Sequence, residues 1–226
     1  MKYKAILLDI DDTLYCYDSA HSIAIKSVIE FFENKFKMDS ALVESVFEKS
    51  RKKVYIELSK TASSHNRLLY FQKMCEILEI NPLKYGIKIY NLYWDNYLEN
   101  LKPFNGVYDL LKKYINNICL VTDLTAHIQY RKIQKLKIND YCNTIITSEE
   151  AGKEKPHPFI FMQALQKLKK SADEVCMIGD SFEKDILGAN SLGIDSIWFN
   201  HKKKHESFVS TAIKEVNTFN EILRLV

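Results

Sequence analysis

The feature that most constrains this chain is Ala5-Ile6-Leu7-Leu8, an unbroken apolar run that stops abruptly at Asp9-Ile10-Asp11-Asp12. A short run with no polar alternation reads as a strand buried on both faces, the kind found in parallel sheets covered by helices. Four more short apolar runs follow at 118–121, 144–147, 175–178 and 196–199, and helical spacing separates them near 107–115, 126–136, 158–169 and 184–192. Strands alternating with helices predict an α/β fold with a doubly wound parallel sheet of the Rossmann-like kind. The first strand stands about 110 residues before the second, and the intervening chain has helical stripes. One stripe is Ile25, Val28, Ile29, Phe32 and Phe36, another Leu68, Phe71, Cys75 and Leu78, and a third Tyr90, Tyr93, Trp94, Tyr97 and Leu101. Residues 16–101 are therefore expected to form an inserted helical cap domain, with 1–15 and 102–226 as the sheet core, the junction lying at the breakers Pro103 and Gly106. A last helix is expected at 219–226.

Composition narrows the class of partner. At 226 residues, 46% hydrophobic and 27% charged, the chain can bury a sizeable core. A formal charge of +3 gives no reason to expect nucleic acid or a membrane surface. The basic run His201-Lys202-Lys203-Lys204-His205 reads as a solvated loop. Five cysteines with no Cys-x-x-Cys pair suit a reducing compartment. The apolar opening is cut short by acids before it resembles a signal peptide, and no stretch approaches the roughly 20 apolar residues of a bilayer span. A cytoplasmic monomer or homodimer is the expectation.

In open parallel sheets, ligands sit beyond the carboxyl ends of the strands. The residues there are Asp9, Asp11, Asp12 and Thr13 after the first strand, Thr122 and Asp123 after the second, Lys153 and Lys155 after the third, and Asp180, Ser181 and Asp185 after the fourth. So many carboxylates on one edge repel one another unless a cation lies among them. Hard oxygen donors without a thiol or histidine set point to Mg2+. Magnesium held by carboxylates beside hydroxyl and ammonium donors is the usual equipment for phosphoryl transfer.

Asp9-Ile10-Asp11-Asp12-Thr13 resembles the first motif, Asp-x-Asp-x-Thr/Val, of the haloacid dehalogenase superfamily, in its subfamily with a helical cap. Thr122 at a strand end, Lys155 before Pro156, and Gly179-Asp180-Ser181 with Asp185 match the other three motifs in order. The resemblance implies that Asp9 is a nucleophile carrying an aspartyl-phosphate intermediate. Asp11 would protonate the leaving alcohol and then activate water, with a proton affinity raised to suit that task. It also implies that Thr122 and Lys155 hold the phosphoryl oxygens, and that Asp9, Asp11 through its carbonyl, Asp180 and Asp185 serve the metal. The implied function is Mg2+-dependent hydrolysis of a small phosphorylated metabolite, a nucleoside monophosphate or sugar phosphate, and the motif context looks like the nucleoside monophosphate phosphatases. A haloacid dehalogenase, a phosphomutase, and a non-catalytic phosphate-binding module are the alternatives. An acid at Asp11 argues against the dehalogenase, and the complete motif set against the binding module. One departure is that Asp123-Leu124 follows Thr122, where the family often has Asn-Gly.

Other residues are read more plainly. Asp12, Thr13 and Ser181 are expected to brace loops, Lys153 to face solvent, and the Tyr90, Tyr93, Trp94 and Tyr97 stripe to fill the cap core. Tyr15, Tyr17 and Asp18 are the candidate substrate contacts.

Overall fold

The computed structural model describes residues 2–207 and 210–226 and divides into two compact units, Met1–Cys16 with Lys102–Val226, and Tyr17–Leu101. The chain begins with β1 (Ala5–Leu8), all four residues buried. It then enters the helical unit through α1 (Tyr17–Phe36), followed by α2 (Ser40–Glu57), α3 (Arg67–Ile77) and α4 (Pro82–Glu99). Each of the last three starts on a residue suited to the task. Asp39, Asn66 and Asn81 accept hydrogen bonds from backbone N–H groups in the first turn, and Pro82 occupies the first helical position of α4, where its missing donor is not needed.

The buried line of α1 is Ala20, Ala24, Val28 and Phe32, which keeps Val28 and Phe32 of the expected stripe but turns towards the alanines: Ile25, Ile29 and Phe36 are only part-buried. Two small alanines at the start allow close packing there, which a count of large apolar residues overlooks. The aromatic stripe of α4 does form core, with Tyr93, Trp94 and Tyr97 essentially inaccessible and Tyr90 part-buried.

The other unit continues with α5 (Val107–Lys113), β2 (Ile118–Thr122), α6 (Ala126–Lys135), β3 (Thr144–Thr147), α7 (Ser148–Ala151) and α8 (Pro158–Leu168). Then come β4 (Val175–Gly179), a π-helical turn (Phe182–Leu187) running into α9 (Gly188–Asn190), β5 (Asp195–Phe199), β6 (Ile213–Val216) and α10 (Phe219–Leu225). The six strands pair in parallel in the order β3-β2-β1-β4-β5-β6. β6 is not among the expected strands. Only Ile213 and Val216 of its four residues are buried, and Lys214 and Glu215 between them are exposed, so an edge strand here lacks the apolar run that marks its neighbours. The expected helix at 184–192 is instead the π-helical turn and the three residues of α9.

Ala5, Leu7, Cys119, Val121, Val175 and Met177 from the sheet pack with Ile160, Phe161 and Ala164 of α8, and Trp198 packs with Ile186 and Ile213 in a second cluster. The strand order places β1 between β2 and β4, where the direction of winding reverses. A crevice opens at the carboxyl ends of strands at such a point.

Candidate active site

Asp9 leaves the end of β1 in that crevice. Its N–H donates to the Ile178 carbonyl at 3.0 Å, so the β1–β4 ladder carries one residue past the strand and fixes the backbone. The side chain is 4% exposed, with both oxygens engaged. Lys155 Nζ donates to Oδ1 at 2.6 Å, and the Thr13 hydroxyl donates to Oδ2 at 3.0 Å. The same Thr13 hydroxyl accepts from the Asp180 N–H at 3.0 Å, which ties the loop after β1 to the loop after β4. Thr13 is a brace, as expected.

Lys155 is buried at the centre. Its Nζ also donates to the Val121 carbonyl at 3.0 Å and lies 2.6 Å from Asp185 Oδ1, an ion pair whose angle is off line for a hydrogen bond. The Ser181 N–H donates to Asp185 Oδ2 at 3.0 Å. The π-helical turn swings the Asp185 side chain beneath Gly179, where a Cβ would fall 2.5 Å from the Asp185 carboxyl carbon. Only glycine leaves room for that approach.

Asp9, Asp180 and Asp185 each offer one oxygen, and these oxygens lie within 4.8 Å of one another. Burial pushes the Asp9 carboxyl well above the ordinary range, with Lys155 opposing and Asp185, Asp180 and Asp11 adding to the rise. Burial followed by repulsion from Asp185 and Asp12 lifts Asp180 to about 7. Asp9 and Asp185 share the Lys155 ammonium while Asp180 meets Lys204 Nζ at 3.8 Å, so the three acids are short of close positive charge, and an all-oxygen set of this size suits a hard divalent cation. The residues fit magnesium.

Asp11 has quite different surroundings. Lys132 Nζ, on a side chain 1% exposed, donates to its Oδ1 at 2.5 Å, the Tyr15 hydroxyl donates to the same oxygen, and Gln129 Nε2 donates to Oδ2 at 2.8 Å. Burial alone would raise this carboxyl, but Lys132, Tyr15 and Gln129 outweigh it and hold Asp11 below its ordinary value. That corrects the expected rise: an ammonium and two neutral donors are what the side chain meets. Gln129 also reaches the Thr122 hydroxyl at 2.6 Å and the Asp123 carbonyl at 2.8 Å, so α6 positions Asp11 and Thr122 together. Neither Lys132 nor Gln129 stood out in the sequence. On a helix reading Ala126-His127-Ile128-Gln129-Tyr130-Arg131-Lys132, polar residues look like a solvent face.

Asp123 points away from the cluster. Its Oδ2 accepts from Lys184 Nζ at 2.9 Å and its Oδ1 from the Lys155 N–H at 3.0 Å, so the unexpected acid is paired. Leu124 takes φ 91°, the left-handed region. The Glu149 carboxylate accepts from the Ala126 N–H at 2.8 Å and serves the start of α6, for which Thr125 makes no side-chain cap. The basic run is more than a solvated loop: Lys202 contacts Asp12, and Lys204 Nζ lies 3.8 Å from Asp180 Oδ2. Lys153 is exposed. Tyr15 is fully buried and committed to Asp11, while Tyr17 belongs to the helical unit, where its hydroxyl accepts from Arg67 Nη2 at 2.9 Å.

A family model described as haloacid dehalogenase-like hydrolase matches residues 6–199. The chain is 29% identical to a ribulose-1,5-bisphosphate 5-phosphatase of Halopiger xanaduensis, over 98% of each chain. It is 26% identical to the pyrimidine 5'-nucleotidase YjjG of Escherichia coli, over 93% of each. Its fold superposes on the magnesium-bound hydrolase YfnB of Bacillus subtilis with a TM-score of 0.75 at 20% identity, over 100% of this chain and 99% of the other.

Proposed function

The chain belongs to the haloacid dehalogenase-like hydrolases, and from that premise we propose that it is a Mg2+-dependent phosphatase of small phosphorylated metabolites, sugar phosphates or nucleotides, with Asp9 as nucleophile. The observation that carries this reading is the meeting of oxygens of Asp9, Asp180 and Asp185 within 4.8 Å of one another, with the Lys155 ammonium paired to Asp9 and Asp185. Relatives along nearly the whole chain are named as phosphatases of a sugar bisphosphate and of pyrimidine nucleotides, which supports the substrate class.

Asp9, Asp180 and Asp185 would hold the cation, with the Asp11 carbonyl as a further donor; when bound, it neutralises the acids and draws charge from the phosphoryl oxygens. Thr13 and Lys155 fix the Asp9 carboxylate so that one oxygen is presented to phosphorus in line with the leaving oxygen. The Asp9–phosphorus bond forms as the ester P–O bond breaks. The departing oxygen takes a proton from Asp11. Water then attacks phosphorus, gives a proton to Asp11, and restores the Asp9 carboxylate. The Thr122 hydroxyl and the Lys155 ammonium stabilise the phosphoryl oxygens in both displacements.

The ionised form in which Asp11 is held is the one its second role needs, since it can accept a proton. For the first, the approach of a phosphate anion is what raises its proton affinity, since added negative charge favours the protonated acid. Displacement of halide from carbon needs no such acid, so the dehalogenase reading leaves Asp11 and its three donors without a purpose. The five free thiols, Cys16, Cys75, Cys119, Cys142 and Cys176, support a reducing compartment such as the cytoplasm. Among the described residues no helix is long and apolar enough to cross a membrane.

The test is phosphate release from sugar phosphates and nucleoside monophosphates with Mg2+ or with chelator, alongside Asp9→Asn. Release should require both the ion and Asp9. Turnover that persists in chelator or in the variant would remove the mechanism.

A further inference from the structure

Ordering a short surface turn costs conformational entropy, so a turn tied down at several points fixes where its side chains stand. The turn after β5 is of that kind. Asn200 is 2% exposed and anchors it. Its N–H donates to the Val216 carbonyl at 2.8 Å and its Nδ2 to Glu215 Oε1 at 2.6 Å, both on β6. The same Nδ2 donates to the Lys204 carbonyl at 2.8 Å, while Oδ1 accepts from the Lys204 N–H at 2.8 Å. The Asn200 carbonyl accepts from the Lys203 N–H at 3.0 Å. One buried amide thus closes residues 200–204 into a loop and fastens it to the sheet edge.

The turn delivers charge to the two loops that hold the acids. Lys202 contacts Asp12 after β1, and Lys204 Nζ stands 3.8 Å from Asp180 Oδ2 after β4. Lys203, between them, is exposed and pairs with no acid among the described residues. The two partners in the second pair differ in freedom. Asp180 is held through its N–H on the Thr13 hydroxyl at 3.0 Å and its carbonyl on Trp198 Nε1 at 2.9 Å, and its carboxylate is largely enclosed. The Lys204 side chain is half exposed, so its ammonium can withdraw into water. A cation drawn to Asp9, Asp180 and Asp185 therefore meets a like charge already stationed at one of its three acids.

We infer that Lys204, stationed by Asn200, is the resident counter-ion of Asp180 and yields that carboxylate to Mg2+, so that it sets how tightly the acid cluster binds its metal. The inference rests on the reading of Asp9, Asp180 and Asp185 as a magnesium site. In the ion-free chain the ammonium offsets part of the repulsion among the acids. When the ion arrives, that pair is given up and the two cations repel, which weakens binding relative to the acids alone.

The test is calorimetric titration of Mg2+ into the chelator-treated full chain, at low and at high ionic strength, for the parent, Lys204→Met, Lys204→Arg and Lys203→Met. Lys204→Met is expected to bind Mg2+ about fivefold more tightly than the parent at low salt, and the difference shrinks at high salt as screening weakens pair and repulsion alike. Lys204→Arg stays near the parent. Lys203→Met, which removes the same charge from the same turn without the contact, shifts the affinity by less than about twofold. Asn200→Ala frees the turn and moves the affinity in the direction of Lys204→Met; if it does not fold, the Lys204 variants carry the comparison. Thermal unfolding gives a second readout. Lys204→Met lowers the midpoint of the ion-free chain and draws level with the parent at saturating Mg2+, whereas a merely structural lysine lowers both midpoints. Binding by Lys204→Met no tighter than by Lys203→Met overturns the inference and leaves the magnesium reading standing. If neither the parent nor Lys204→Met binds Mg2+, reading and inference fall together. Binding by Lys204→Met alone supports the inference, since the lysine then shuts the ion out.

Discussion

Lys132 shows how a single residue governs the chemistry of another. Its ammonium, buried on α6, holds Asp11 ionised and in one place, with Gln129 and Tyr15 completing the clamp. Removing the cation leaves a buried carboxylate short of a partner, which costs orientation as well as charge balance. Lys132→Met is expected to lower kcat/KM about a hundredfold on alkyl phosphates, within the range for general acid–base catalysis, and less than tenfold on p-nitrophenyl phosphate, whose leaving group needs no proton. Equal losses on both substrates would show that Asp11 is not the proton donor. Asp9 and Asp180 were legible in the sequence because each directly follows an apolar strand, and Asp11 and Asp185 because they lie in the same two loops. Lys132 was not, because a lysine on a polar helix carries no mark of burial until α6 is laid against the loop after β1.

At the scale of elements, the two loops that flank β1 are built by opposite means. The loop after β4 depends on an absence: Gly179 leaves room for Asp185, and a methyl group there would meet the carboxyl at 2.5 Å. Gly179→Ala should lower stability by about 1–3 kcal/mol, as overpacking does, and weaken Mg2+ binding measured by titration calorimetry. The loop after β2 tolerates strain instead. Leu124 occupies the left-handed region at φ 91°, where the related pattern Thr-Asn-Gly places glycine. Left-handed geometry costs an L residue about 1–2 kcal/mol, and a β-branched side chain most of all. Leu124→Gly is therefore expected to raise the thermal midpoint by a few degrees and Leu124→Val to lower it. The other five strands, β1 to β5, could be read from their apolar runs. β6 could not, since its middle residues, Lys214 and Glu215, face solvent at the sheet edge.

For the molecule as a whole, two part-buried groups pull stability in opposite directions over one pH window. His21 has its pKa driven down to about 4 by burial and then by Arg67, against 6.5 for an ordinary histidine. The folded chain binds fewer protons there than the unfolded one, so this contribution is present above pH 6.5 and is lost as pH falls towards 4. Asp180, lifted to about 7 from 3.8, does the reverse: its contribution is full below 3.8 and is lost as pH rises through 7. His21→Gln should therefore make the metal-free thermal midpoint fall more steeply with rising pH between 4 and 6.5. Saturating Mg2+ should raise the midpoint most at pH 7 and above, where the acids need no longer be protonated to coexist, and Asp180→Asn should blunt that response. A midpoint indifferent to Mg2+ at every pH would remove the ion from the account. The division into a sheet unit and a helical unit followed from the gap of about 110 residues between the first two strands. The burial of Arg67 did not, because an arginine at a helix start reads as exposed until its aromatic surroundings are assembled.

The partners of Asp9 arrive late in synthesis. Lys155 is 146 residues further along, and Asp180 and Asp185 later still, yet β1 lies inside the sheet and needs β4 beside it. A nascent chain on the ribosome thus carries Asp9, the proposed nucleophile, long before it has the Lys155 ammonium or the companion acids, which are complete only when Asp185 has emerged. On the proposed mechanism, catalytic competence is deferred until Asp185 has been made, and a product cut short before it can neither capture the ion nor spend a phosphorylated metabolite.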